Sequence, residues 1–357
     1  MTEARFIEKQ ALSSWLASMR KYRRVLVPQR RDGLTLFRPL DPGQDLDLDG
    51  LSSEPPKAAL LPRDEALFAF RYRRNGDKPP RWGVELIETP PNEPTLVFGS
   101  RPCDACGFAT TDRVYNAGTR RDAAYCARRD QTVVATLACS RPEPTCFCHR
   151  VGGGPDNEAG SDILVTEVAE GYLLEAVSSR GLDFMRESGL KDGAGLAAEA
   201  AAVRRAARAA MPDGPSLLEA PEHVRALFED MAFWERTAAA CLSCGACSYL
   251  CPTCYCFNIT DEARGNGGIR LRSWDNCMSP QFTLEASGHN PRPGKAHRLR
   301  NRVSHKFAFY PSLHGGVLAC AGCGRCIVSC PASLDIREIV SQAMTQTANA
   351  EGEPRHD

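Results

Sequence analysis

The strongest constraint on this chain is a motif that occurs twice. Cys241, Cys244, Cys247 and Cys251 are spaced C-x2-C-x2-C-x3-C and followed by Pro252; Cys320, Cys323, Cys326 and Cys330 repeat the spacing before Pro331. Three thiolates within a seven-residue loop can wrap three corners of an iron–sulfur cube. The small residues Gly245, Ala246 and Gly324 let the backbone approach the sulfides. Tetrahedral zinc takes four cysteines, usually as two C-x2-C pairs, and two matched strings exceed that need. Disulfides suit oxidising compartments. The start, MTEARFIEKQALSSW, has no apolar leader, and no apolar run of about 18 residues occurs. A cytoplasmic location with reduced thiols is therefore expected, and there tight cysteine spacing means metal or redox chemistry. Two 4Fe–4S clusters are the expectation.

The spacing is similar to that of bacterial two-cluster ferredoxins, where the fourth cysteine of each string ligates the other cube. Carried onto this chain, that pattern implies one cluster on Cys241, Cys244, Cys247 and Cys330, and another on Cys320, Cys323, Cys326 and Cys251. The domain they define, 216–345, is expected to be an α+β bacterial-ferredoxin-like dicluster domain with a long insertion between the strings.

With 357 residues, the chain has room for a second domain. Short β-type runs (RVLVPQ, LTLFRPL, ALFAFRYR, WGVELIE, PTLVFG, QTVVATLAC, DILVTEV, YLLEAV) alternate with Pro-rich loops at 52–62 and 89–94. With a helix near TDRVYNAG they predict a mixed α/β N-terminal domain over 1–215. The first 20 or so residues are expected to be helical, as are 196–211, before a DGPS linker. Val224, Leu227, Met231 and Trp234 fall on one stripe, which predicts an amphipathic helix leading to Cys241. Residues 346–357 are expected to be a disordered tail.

Between and upstream of the strings lie CPTCYCFNITDE, RLRSWDNC, SGHNPR, RLRNRVSHKF, LLPRDEALFAFRY, RPCD, DRVY and CSRPEPTCFCHRVGGGP. In these stretches, from about residue 60 to 340, the chain resembles two kinds of electron-transfer protein: the sulfhydrogenase beta subunit and the A-type subunit of anaerobic sulfite reductase. The resemblance implies a non-catalytic iron–sulfur subunit. It would sit between a flavoprotein subunit (FAD, NAD(P)H-linked) and a catalytic subunit, either a hydrogenase or a sulfite/sulfur reductase. Nothing in the chain resembles a nickel ligand set, a sirohaem site or a nucleotide phosphate loop, and GGGP at 152–155 reads as a turn. Two rivals remain: a cluster-bearing redox sensor, and a self-sufficient flavin-dependent reductase.

Other cysteines leave choices open. Cys103, Cys139, Cys146 and Cys148 either converge on a third cluster or pack as small buried thiols. Cys254, Cys256 and Cys277 crowd the first string, where they either tune its cluster, replace an assigned ligand or, the favoured reading, pack around it; Cys126 stands alone and reads as packing. Arg292, Lys295, His297, Arg298, Arg300, Arg302, His305 and Lys306 form a basic run in a chain of zero formal net charge. It is expected either to dock an acidic partner surface or to face the clusters. Phe307, Phe309 and Tyr310 follow this run without interleaving it, and net charge is balanced, so nucleic-acid binding is not expected. Nor is a membrane span.

Overall fold

The computed structural model describes residues 3–41, 43, 45–74, 76, 81–88 and 93–352. Most of the expected Pro-rich loop at 89–94 lies outside them. Twelve strands are described: β1 (Ala4–Glu8), β2 (Arg24–Arg31), β3 (Leu34–Pro39), β4 (Asp64–Arg74), β5 (Trp82–Glu88), β6 (Thr95–Ser100), β7 (Thr132–Leu137), β8 (Ile163–Val168), β9 (Gly171–Ala176), β10 (Lys191–Asp192), β11 (Phe257–Arg264) and β12 (Gly267–Trp274).

Eight of them form one mixed sheet in the order β10-β1-β9-β8-β7-β6-β2-β3. Its centre, β2-β6-β7-β8, is parallel. Parallel strands are covered on both faces, so β6 and β7 are buried at every residue. Leu96, Phe98, Val133 and Ala135 pack on one face with Leu12, Leu16 and Phe184, from the helices Lys9–Met19 and Ser179–Glu187. Val134 points the other way, toward Phe108 and Tyr125, from the helices Pro102–Tyr115 and Ala123–Gln131. The expected N-terminal helix is thus preceded by a strand. Phe6 belongs to β1, paired with Leu173 of β9, and the helix starts at Lys9.

A second, antiparallel sheet runs β11-β12-β4-β5. Two of its strands come from the insertion between the cysteine strings, and two from the N-terminal region. Arg272 of β12 is buried and binds Glu65 of β4 at 2.5 Å and Asp122 at 2.5 Å, and Glu65 also accepts from Arg128. Residues 212–217 form no regular element, where a linker was expected, yet the insertion crosses back over that point.

Helices Ala220–Ala226, Met231–Thr237, Lys295–Ser304 and Ile336–Gly352 supply the second main core, around Trp234, Leu299, Val303 and Val340. The single helix expected before Cys241 is two. Asp230 interrupts it, and its carboxylate caps the second helix by accepting from Phe233 N at 3.0 Å. The last helix reaches Gly352, into the stretch expected to be a disordered tail, and 353–357 lie outside the described residues. Each cysteine string turns through a left-handed glycine, Gly245 (φ 79°) or Gly324 (φ 74°), into a one-turn helix.

Candidate metal centres

Cys241, Cys244, Cys247 and Cys330 line one cavity, with Cys326, Arg302, Met278 and Leu334 around them. The last cysteine of the second string therefore faces the thiols of the first. Backbone amides point at its sulfurs: Ser243 N donates to Cys241 Sγ at 3.4 Å, and Leu334 N to Cys330 Sγ at 3.3 Å.

The other set lies deeper. Cys251, Cys320 and Cys323 are buried and Cys326 is half-buried. Burial pushes the Cys320 thiol up, Lys306 opposes it, and Cys251 and Cys326 add to the rise. Cys326 is pushed up to about 11 by burial, against Arg302, with Cys323 and Cys251 adding to it. A hydrogen bond from Cys103 holds Cys323 down at about 7 against its own burial. Each of these thiols thus feels the others' charge. Cys254 donates to Cys251, and that bond, with Lys306 helping, keeps Cys251 well below the thiol range despite burial.

Opposite the sulfurs stands a row of cations. Arg298, Arg302 and Lys306 are four residues apart, along the helix Lys295–Ser304 and the π turn His305–Phe309, and are 6, 4 and 2 % exposed. Lys306 Nζ donates to Cys251 Sγ at 3.3 Å, to Thr253 Oγ1 at 3.0 Å and to the Ala319 carbonyl at 3.0 Å. Arg302 donates to the Cys247 carbonyl at 3.3 Å, and Arg298 to the Pro293 carbonyl at 2.8 Å. Among the described residues none of the three pairs with a carboxylate, and the Nε atoms of Arg298 and Arg302 have no partner. Burial opposes the charge on Lys306, but Cys251 and Cys254 more than offset this and hold its pKa above the ordinary lysine value. A buried charge without a counter-charge costs several kcal/mol. Thiolates bound to iron are deprotonated outright and leave a net negative centre. The donor set and the cation row therefore fit iron–sulfur clusters, and they overturn the docking alternative for these three residues. The four-residue spacing puts them on one inward face. His305 Nε2 meets Tyr255 OH at 3.1 Å.

All four N-terminal thiols, Cys103, Cys139, Cys146 and Cys148, line a further cavity beside Cys323. Cys256 hydrogen-bonds Cys277, held at about 6 by that bond against burial, and the Ser248 hydroxyl lies 3.7 Å from Cys277 Sγ. Both pack into the C-terminal core. Cys126 packs beside Tyr115 and Tyr125. Among the described residues no group of three His, Cys, Asp or Glu side chains is arranged to hold a single metal ion.

Two participants went unnoticed in the sequence. Lys57 sends its ammonium to the Cys254 carbonyl at 3.2 Å and sits 4.2 Å over the Trp274 ring. Arg325, inside the second string, is 3 % exposed and pairs with Asp104 at 2.7 Å. A lysine in a Pro-rich loop carries no signal. Arg325 stood between two ligand candidates and could have been singled out.

Residues 240–334 match the family described as the 4Fe-4S dicluster domain. With the paired thiol sets, this makes the chain an iron–sulfur protein of the electron-transfer class. The chain is similar to sulfhydrogenase 2 subunit beta of Pyrococcus furiosus, at 28% identity over 338 residues, covering 89% of this chain and 92% of that protein. Along most of its length the chain thus resembles a sulfhydrogenase beta subunit. No solved structure matches it. Among the described residues no helix is long and apolar enough to cross a membrane.

Proposed function

We propose that this chain relays single electrons between a flavoprotein subunit that handles NAD(P)H and a catalytic hydrogenase or sulfite/sulfur reductase subunit, in the cytosol. Cys241, Cys244, Cys247 and Cys330 would hold one cube, and Cys320, Cys323, Cys326 and Cys251 the other. The observation that carries this reading is the row Arg298–Arg302–Lys306, three buried cations without a carboxylate partner among the described residues, with Arg302 on the Cys247 carbonyl and Lys306 on the Cys251 sulfur. Each bound cube would take up and release one electron. The residues of this chain keep water from the inner set, supply amide donors to sulfur and hold fixed positive charge beside it. A third cluster on the N-terminal thiols would add a station without changing the ends of the relay.

A hydride carrier delivers electrons in pairs, which a cube cannot accept, and a flavin converts pairs to single electrons. The purified chain should therefore be bleached in its cluster absorbance by dithionite but not by NADH or NADPH alone. Adding the flavoprotein should make NAD(P)H effective. Rapid bleaching by NADPH without any partner would mean that the N-terminal domain binds its own flavin, and a reductase would replace the relay.

A further inference from the structure

We propose that Cys103, Cys139, Cys146 and Cys148 bind a third iron–sulfur cluster, at the carboxyl ends of the central strands β6 and β7 and outside the two cysteine strings. Open α/β sheets hold ligands beyond the carboxyl ends of their parallel strands. Both β6 and β7 end at this place. Cys103 lies on the first turn of the helix that follows β6, and Cys139 comes just after β7. Cys146 and Cys148 arrive on the crossover from β7 to β8. Separate stretches of chain thus deliver four thiols to one cavity.

The walls of that cavity are tied down. Cys139 N donates to the Pro155 carbonyl at 2.7 Å, and Gly153 N to the Cys148 carbonyl at 2.9 Å, which closes the crossover on itself. The Arg101 guanidinium bonds the carbonyls of Leu48, Gly50 and Ala138, joining the loops that flank the thiols. Phe147 N donates to the Gly322 carbonyl at 2.8 Å. A side chain at position 322 would put its Cβ 2.5 Å from Cys148 Cα, so glycine there allows the crossover to lie flat on the second cysteine string. Cys323 lines the same cavity. The site is therefore next in line to a candidate ligand of the inner cube.

Thiolate donors select zinc or iron–sulfur clusters. The cluster is the choice that suits four thiols lining one cavity together with Cys323, a candidate ligand of the inner cube. This inference rests on the iron–sulfur reading of the dicluster domain only for the neighbouring Cys323; the four thiols stand on their own geometry.

Iron, acid-labile sulfide and zinc are to be counted on the full chain purified anaerobically, and on two variants, Cys139→Ser and the pair Cys146→Ser/Cys148→Ser. About twelve irons per chain, falling to about eight in both variants while the remaining clusters keep their EPR signals, is the result expected at four irons per cube. Eight irons in the unmodified chain, or a count the variants leave unchanged, would overturn the third site and leave the relay standing. Eight irons plus one zinc would overturn its iron–sulfur nature. Loss of all iron from both variants would overturn its independence from the strings, and a chain without iron would overturn the relay reading as well.

Discussion

Cys330 ends the second string yet faces the thiols of the first, and that gives a single residue a diagnostic role. Cys330→Ala should damage the centre shared with Cys241, Cys244 and Cys247, despite the distance in sequence. Low-temperature EPR of the reduced variant checks it: loss of the Cys320-side signal with the other intact would mean that each string serves its own cube. Lys306 offers a subtler probe, since its ammonium lies 3.3 Å from Cys251 Sγ. Reduction adds negative charge, which a nearby cation stabilises. A unit charge at roughly 5 Å, with an effective dielectric of about 20, contributes about 3 kcal/mol. Lys306→Met should therefore lower the potential of the inner centre by on the order of 100 mV. A redox titration followed by EPR would measure this, and an unchanged potential would show that Lys306 only fills space. The thiols were legible because ligand spacing is a local property of the chain. The cations were not, because a basic run looks alike whether it faces water or sulfur, and only the packing of helix Lys295–Ser304 decides.

Among the elements, the insertion hairpin β11–β12 differs most from what its sequence suggests. Every residue of β11 is exposed, so FNITDEAR lacks the alternation that marks a half-buried strand. What holds the hairpin is polar: Arg272, 6 % exposed, binds Glu65 and Asp122 across to the N-terminal region. Removing one partner of a buried ion pair leaves the other uncompensated, at about 3 kcal/mol or more. Arg272→Met should lower the unfolding free energy of the anaerobic protein, measured by urea titration, by that amount, and a change below about 0.5 kcal/mol would place the stability of the hairpin elsewhere. The strands of the large sheet were easier to find. RVLVPQ, QTVVATLAC and DILVTEV are apolar and β-branched, as strands buried on both faces must be. β1 escaped notice because Phe6 shares a helical-looking spacing with Leu12, Trp15, Leu16 and Met19. The broken helix before Cys241 escaped because a stripe of apolar residues persists across the Asp230 cap.

At the scale of the whole molecule, two regions that look separable are joined. The large sheet and the cysteine strings could be told apart by composition alone, but nothing in a linear pattern says that β12 will lie beside β4. Long-range pairing depends on Arg272, Glu65 and Asp122 meeting in space, and each reads as an ordinary surface charge. This pairing sets a clock on synthesis. A ribosome that adds about 5–20 residues per second leaves β4 and β5 waiting on the order of 10 to 40 s for β12 to emerge. A lone two-stranded hairpin is marginal in water, and its open edge invites pairing with other chains. The cavity of the first string is delayed further, since Cys330 is made later still. If Cys330 ligates the first cube as proposed, iron has to meet a chain that is nearly complete, and loading of that centre belongs to the end of biogenesis rather than to its course.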